Sequence, residues 1–379
     1  MSDPLALDEL DIPSSAGWAA LDAELDGLRR RSGAAMSRPP DFAVGLWETD
    51  SRWRSDPDAW DEVCRIGGAA LGRRDRFADL GAIAEEAGRS AASVPVIGSA
   101  LAGWALEDIA SCASDLSRLR SGVPGALLWD GPEEPVSLRV DRDGNVSGTV
   151  TFVVDGAAAR VLVAVALGPD GGPWILRVDE PDRVVRERRS VADPTRDLAT
   201  VVLDDVPATV LATGEQARTS LAGLESAAAV LLALDAVGSA QAATDLAVAY
   251  AKEREQFGRV IGSYQAVAHH CADMFVLVSN ARSLARAAAW ALCREEADAS
   301  LVAAEAKAGA TENAVEAGRR AIQVHGGVGM TWARATHVHH KRAWVDRAAL
   351  GSARYQRERI VDALTAAPTG RVPMYRTAF

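Results

Sequence analysis

Three things are scarce in this chain. Its four cysteines, Cys64, Cys112, Cys271 and Cys293, show no CxxC spacing, so neither a disulfide framework nor a metal site is expected of them, and the thiols are read as buried and free. Positive charge is the second shortage. The excess of 52 acidic over 41 basic residues leaves a formal charge of -11, which repels phosphate backbones and anionic membranes, so no nucleic-acid partner is expected. Long apolar runs are the third. No stretch of about 18 purely apolar residues marks a membrane span. The acidic, Pro-containing start Met1 to Pro13 also has neither a basic n-region nor an apolar h-region, so a cytoplasmic chain with no membrane association is expected.

What remains is ample for a large globular protein: 379 residues, 48% of them hydrophobic, enough for two or three packed domains. The texture changes twice. From Gly17 to Leu119 the pattern is helical, with runs at Trp18 to Arg30 and Phe77 to Gly88, broken by the Pro- and Ser-containing stretch Arg31 to Phe42. From Gly122 to about Val210 it alternates with period two. Leu138 and Val140 precede a turn at Asp141 to Asn145, Val146 to Val154 resumes the alternation, and Val161 to Leu167 reads as a strand covered on both faces. From Leu221 onward the pattern is helical again. Val267, Cys271, Met274, Val278, Ala281, Ala285, Ala288 and Leu292 recur at alternating spacings of four and three, one buried stripe of a bundle helix. The expected fold is α+β and multidomain: an N-terminal helical domain (1–120), a middle β-sandwich or barrel domain (121–215) and a C-terminal helical bundle (216–379). Gly258 and Gly326-Gly327 are placed as C-terminal caps needing positive φ, and the Glu85-Glu86 pair near Arg89 reads equally well as a solvated helix end.

Four segments carry chemistry. Tyr250-Ala251-Lys252-Glu253-Arg254-Glu255-Gln256-Phe257-Gly258, Gln265-Ala266-Val267-Ala268-His269, Ala272-Asp273-Met274 and Gln323-Val324-His325-Gly326-Gly327 occur in this order. The Arg254 guanidinium can bond two phosphate oxygens at once, and Gly326 and Gly327 offer backbone with no Cβ in the way of a phosphate-bearing ligand. Together the segments resemble those of the acyl-CoA dehydrogenase family, strongly from Leu221 to Leu364 and weakly before Gly122. The resemblance implies the helix, sheet, helix-bundle order, FAD as cofactor and an acyl-CoA thioester as substrate of α,β-dehydrogenation. It also implies an electron-accepting flavoprotein or quinone system. By position, Arg254, Gln256 and Phe257 match the family's contacts to the pyrophosphate and adenosine of an adjoining subunit's FAD, with Gln323 and Gly327 as the second set.

The rest of the expected site departs from the family pattern. Where the family carries its catalytic glutamate, this chain reads Leu350-Gly351-Ser352, and leucine accepts no proton. On the helix where some members place the base instead, Ala228 and Ala229 stand. Glu225, read as a partly exposed helical glutamate, is the nearest candidate, and Asp235 a poorer one. The family's flavin loop corresponds to Ala126 to Glu134 and its later Trp-x-Thr strand to Phe152 to Gly156, and neither keeps the family's hydroxyls; Trp129 reads as core sooner than as a flavin-stacking ring. His337, His339 and His340 do not share one helix face, so no metal is expected. His337 to Ala343 resembles a segment of members that form heteromers, implying interface or phosphate packing. The resemblance therefore points to a subunit that completes the FAD site of a different, glutamate-bearing chain in a hetero-oligomer, of the kind that handles bulky acyl-CoA thioesters such as steroid side-chain intermediates. A self-sufficient homotetrameric dehydrogenase using Glu225, and a flavin-free scaffold on the same fold, are the alternatives.

Overall fold

The computed structural model describes residues 57–107 and 109–366, together with Gly27, Arg30 and Arg31; most of the helix expected at Trp18 to Arg30 lies outside them. Four short helices come first: α1 (Pro57–Gly67), α2 (Phe77–Arg89), α3 (Val96–Leu106) and α4 (Ala113–Arg120). Seven strands follow: β1 (Gly125–Leu128), β2 (Leu138–Val140), β3 (Asn145–Val154), β4 (Val161–Leu167), β5 (Pro173–Val178), β6 (Val185–Arg188) and β7 (Leu198–Ala212). The chain then turns helical through α5 (Gly214–Glu253), α6 (Gln265–Cys293), α7 (Ala299–His325), α8 (Thr336–Ala348) and α9 (Ala353–Ala366), with a small hairpin, β8 (Glu255–Gln256) and β9 (Arg259–Val260), between α5 and α6.

The expected sheet closes into a barrel. β4 pairs with β2, β2 with β3, β3 with β7, β7 with β5, and β5 returns to β4, while β1 pairs with the first half of β4 and β6 with the first half of β7. Closure pairs the open edges that a flat sheet would expose. Its interior is filled by residues such as Leu128, Leu138, Val146, Leu162, Ala164, Leu176 and Leu203. β4 is buried at every position but its last, as its uninterrupted apolar run predicts.

The bundle is built around α5, which begins seven residues before the expected Leu221 because Thr213 is still extended and serves as its N-cap. By length and composition α5 would suffice to cross a membrane, but its most apolar window is 78% buried by the neighbouring elements. It is a core helix. The expected stripe of α6 is largely buried: Met274, Val278, Ala281, Ala285, Ala288 and Leu292 face the bundle, while Val267 and Cys271 at its start are half-buried. Alanine contributes little apolar area per residue, so the stabilisation comes from close approach of backbones and dense contact.

The tightest approach is between α2 and α5. A Cβ at Gly88 would lie 1.9 Å from the Asp235 carbonyl oxygen, and one at Gly238 would lie 1.8 Å from that of Glu85. Only glycine fits on both sides, and Ser239 Oγ donates across the crossing to the Gly88 carbonyl at 3.2 Å. The same contact corrects the solvated reading of Glu85-Glu86. Both are buried, and Glu85 receives Arg282 of α6 at 2.9 Å and Arg286 at 3.6 Å.

Candidate functional site

The two segments singled out in the sequence meet at one corner of the bundle. α5 ends at Glu253, and the Arg254 amide still donates to the Tyr250 carbonyl at 2.8 Å before the chain enters the β8–β9 hairpin. α7 ends at His325, and Gly326 after it takes φ +63° and ψ -146°, a conformation open to glycine and not the left-handed helical one of the expected cap. The rings of Tyr250 and His325 stack at 4.6 Å and 14°, so the two helix ends lie side by side. Beneath them Ala243, Ala247, Ala251, Met274, Ala317, Ala321 and Val324 form the local core.

The other two expected caps are revised as well. Gly258, with φ +79°, sits with Phe257 at φ +52° in the two-residue turn of the hairpin, several residues past the helix end. Gly327 has no positive φ and nothing within 4 Å of where its Cβ would be. Neither strain nor crowding within the chain requires a glycine there.

All six candidate cofactor-binding residues, Arg254, Gln256, Phe257, Gln323, Gly326 and Gly327, are exposed. Phe257 is 94% exposed, an extreme value for a large apolar ring. Among the described residues no carboxylate pairs with Arg254. The donor set suits a diphosphate: a guanidinium free for two charge-assisted bonds beside backbone with no side chain to block it. All of these groups face outward, and none is covered by another part of the described chain.

The base position is built differently. Leu350 is buried, at φ +50°, in the loop between α8 and α9. Ser352 caps α9, its Oγ accepting the Tyr355 amide at 3.2 Å. A residue outside the sequence-based expectations meets it: the Glu133 carboxylate accepts Ser352 N at 2.6 Å and Ser352 Oγ at 2.8 Å, an acid seated on a helix N-terminus. Gly131 packs directly on this loop, its Cβ position 3.2 Å from Leu350 Cα. Asp130 anchors the other end of the 130–133 loop by accepting Thr151 N at 2.7 Å, Thr151 Oγ1 at 3.0 Å and Phe152 N at 3.2 Å. The loop that would cover a flavin is clasped to the loop that would carry the base. Just past β6, Arg189 lies 4.9 Å over the exposed Phe152 ring of β3. Trp129 is buried in the core.

Glu225 is not the partly exposed residue expected. It is buried, ion-paired with Arg359 of α9 at 2.7 Å and hydrogen-bonded by the Tyr355 side chain. Burial raises its pKa and Arg359 offsets part of that rise. It stays near the Leu350 loop, since both Glu225 and Glu133 act on Tyr355. Asp235 is no candidate base at all. Arg342 grips it with a two-pronged fork at 2.7 and 2.8 Å, and Arg196 adds a bond at 2.7 Å. Burial alone would raise its pKa, and the two guanidiniums overcome that and hold it below the usual carboxylate range. Arg196 also reaches Asp346, whose carboxyl is pushed well above the usual range by burial, with Asp235 beside it adding to the rise and Arg196 opposing it. Lys307, wholly buried, donates to the carbonyls of Asp346 and, at 2.9 Å, Ala349, holding the last turn of α8 just before Leu350. Burial lowers this ammonium to about 7.

His337 and His339, expected at an interface, are buried inside the chain, where burial pushes both down to about 4 and keeps them neutral at pH 7. Among the described residues no three His, Cys, Asp or Glu side chains converge as a metal site.

The family model described as acyl-CoA dehydrogenase, C-terminal domain, matches residues 225–365. The chain is 30% identical over 313 residues to the acyl-CoA dehydrogenase IpdE2 of Mycolicibacterium smegmatis, covering 80% of this chain and 87% of that protein. This chain belongs to the acyl-CoA dehydrogenase family. It is also 36% identical over 341 residues to the acyl-CoA dehydrogenase FadE34 of Mycobacterium tuberculosis, covering 86% of this chain but only 44% of that longer protein. Among solved structures, a variant of the Tcur3481-Tcur3483 steroid ACAD superposes with a TM-score of 0.77 at 26% identity, covering 91% of this chain and 98% of that one. The ChsE4-ChsE5 complex from Mycobacterium tuberculosis shares the fold, with a TM-score of 0.75 at 22% identity over 92% of this chain and 98% of that one. The cofactor of acyl-CoA dehydrogenases is FAD, and FAD-dependent dehydrogenation is the chemistry of the family.

Proposed function

We propose that this chain is the base-lacking subunit of a two-chain acyl-CoA dehydrogenase, and that it completes the FAD site of a glutamate-bearing partner. The observation that carries this reading is an asymmetry. Every group suited to a neighbour's cofactor is exposed at one corner, while the chain's own base position is a buried leucine beneath a loop clasped by Glu133 and Ser352. In this reading Arg254 grips the pyrophosphate, Gly326 and Gly327 admit it to the backbone, and Gln256, Phe257 and Gln323 pack along the adenosine portion. Bound in the partner, the flavin supplies the hydride acceptor, and the proton goes to the partner's carboxylate. The steroid ACAD among the structural neighbours favours an acyl-CoA with a bulky, polycyclic acyl group.

Purified alone, the chain is expected to come without flavin, and to gain it when co-expressed with a glutamate-bearing family member encoded beside it. A yellow protein with one tightly bound FAD per chain after purification alone would refute the reading. The self-sufficient alternative is tested by Glu225→Gln in the complex. Since Glu225 is already held by Arg359, flavin bleaching by acyl-CoA in a single turnover should stay within a few-fold of the parent. A loss of about 10²-fold or more, with FAD and substrate still bound, would instead make Glu225 the base.

A further inference from the structure

We propose that Tyr250, His325 and Arg334 form a stacked joint that holds the two flavin-facing segments at the spacing a diphosphate needs, so that they are positioning residues for the FAD half-site. The inference rests on the reading of that corner given above. Tyr250 is on the last full turn of α5, and its carbonyl is the acceptor that holds the Arg254 amide. His325 is the last residue of α7, directly before Gly326. Their rings lie nearly parallel at 4.6 Å, and the Arg334 guanidinium lies over the Tyr250 ring at 5.2 Å. One three-part stack therefore ties the turn that carries Arg254 to the turn that presents Gly326 and Gly327.

Each member is locked to a different piece of chain. His325 is 5% exposed, and its Nδ1 is 2.8 Å from the Ala321 carbonyl, which fixes the ring on α7. The short turn Gly326–Met330 folds tightly around it, since a Cβ at Gly329 would come within 2.8 Å of the His325 Cβ. Arg334 comes from the segment after that turn, and among the described residues no carboxylate pairs with it, so the Tyr250 ring is what it rests on. Burial, aided by Arg334, lowers the His325 pKa and favours the neutral imidazole in the stack. The polar side chains of the hairpin turn elsewhere: Gln256 bonds to its own hairpin, and Arg259 stacks on Tyr264 at 4.0 Å.

The test is a double-mutant cycle on FAD affinity, measured in the complex with a glutamate-bearing family member, with thermal unfolding of each complex as the folding control. Tyr250→Leu should weaken FAD about tenfold or more, and Tyr250→Phe, which keeps the ring, should restore affinity to within about twofold. If Tyr250 acts by placing Arg254, the pair Arg254→Ala with Tyr250→Leu should be little worse than Arg254→Ala alone. Should Tyr250→Leu fail to assemble, Arg334→Ala, a change to an exposed side chain, takes its place in the cycle. Fully additive effects, or no effect of Tyr250→Leu or its replacement where Arg254→Ala weakens binding, would overturn the joint while leaving the half-site reading intact. No effect of Arg254→Ala would overturn that reading itself.

Discussion

FAD affinity of the assembled complex is expected to fall by one to several orders of magnitude when Arg254 is replaced by alanine. The guanidinium is exposed, and among the described residues no carboxylate competes for it. Its removal therefore costs the chain's own fold little and should leave the melting temperature of the subunit unchanged. What is lost is one or two charge-assisted bonds to a diphosphate, each about 1.5–3 kcal/mol. Lysine keeps the charge but not the planar fork, so Arg254→Lys should recover only part of the affinity. Equilibrium titration of the apo complex with FAD measures both. Unchanged retention in the alanine variant would remove Arg254 from the site.

Arg342→Met should have the opposite signature: a large loss of stability with no direct contact to cofactor removed. The Arg342 side chain is 1% exposed and satisfies both oxygens of Asp235, the Thr195 hydroxyl at 2.7 Å and the Ala92 carbonyl at 3.0 Å. It joins α8 to α5, to the end of α2 and to the approach to β7. Methionine fills much of the volume but leaves Asp235 with Arg196 alone, and breaking a buried pair on one side costs about 3–5 kcal/mol. Urea unfolding of the purified chain should show the unfolding free energy falling by that amount, with the midpoint moving down in proportion. The double change Arg342→Met with Asp235→Leu should recover much of it, because the orphaned charge is removed with its partner. A single variant as stable as the parent would mean that the network contributes no stability.

The two variants mark where the sequence was readable and where it was not. Periodicity located the α6 stripe because one face of that helix repeats the same demand at every turn, and the uninterrupted run of β4 announced a strand covered on both sides. The ends of α5 and α7 were legible for a similar reason: Arg254 and Gly326-Gly327 each sit where a helix ends, and helix ends leave local signs. Closure of the barrel left none, since β2 meeting β4 and β5 meeting β7 are pairings between segments apart in sequence that no local pattern encodes. The charged core was hidden for the same cause. Asp235 reads as one polar residue in an apolar helix, and only the fold brings Arg196, Arg342, Asp346 and Lys307 around it. Arg342 and Asp346 are one turn apart on α8, and that short buried polar stripe was the one available clue. Glu133 had no clue of any kind: its partner Ser352 is 219 residues away. Glu225 was misjudged because its spacing on α5 says nothing of α9, which covers it and supplies Arg359.

Phe257 carries a last consequence, for the life of the polypeptide before assembly. A bare aromatic ring at a hairpin tip, with Phe275, Val276 and Met330 also exposed, is the kind of surface that chaperones and proteases recognise on orphan subunits. Synthesised in excess of its partner, such a chain is costly to keep in solution. On the two-chain reading proposed above, its steady-state amount in a cell would follow the supply of the partner that covers this corner, and the two chains would have to be translated in balance.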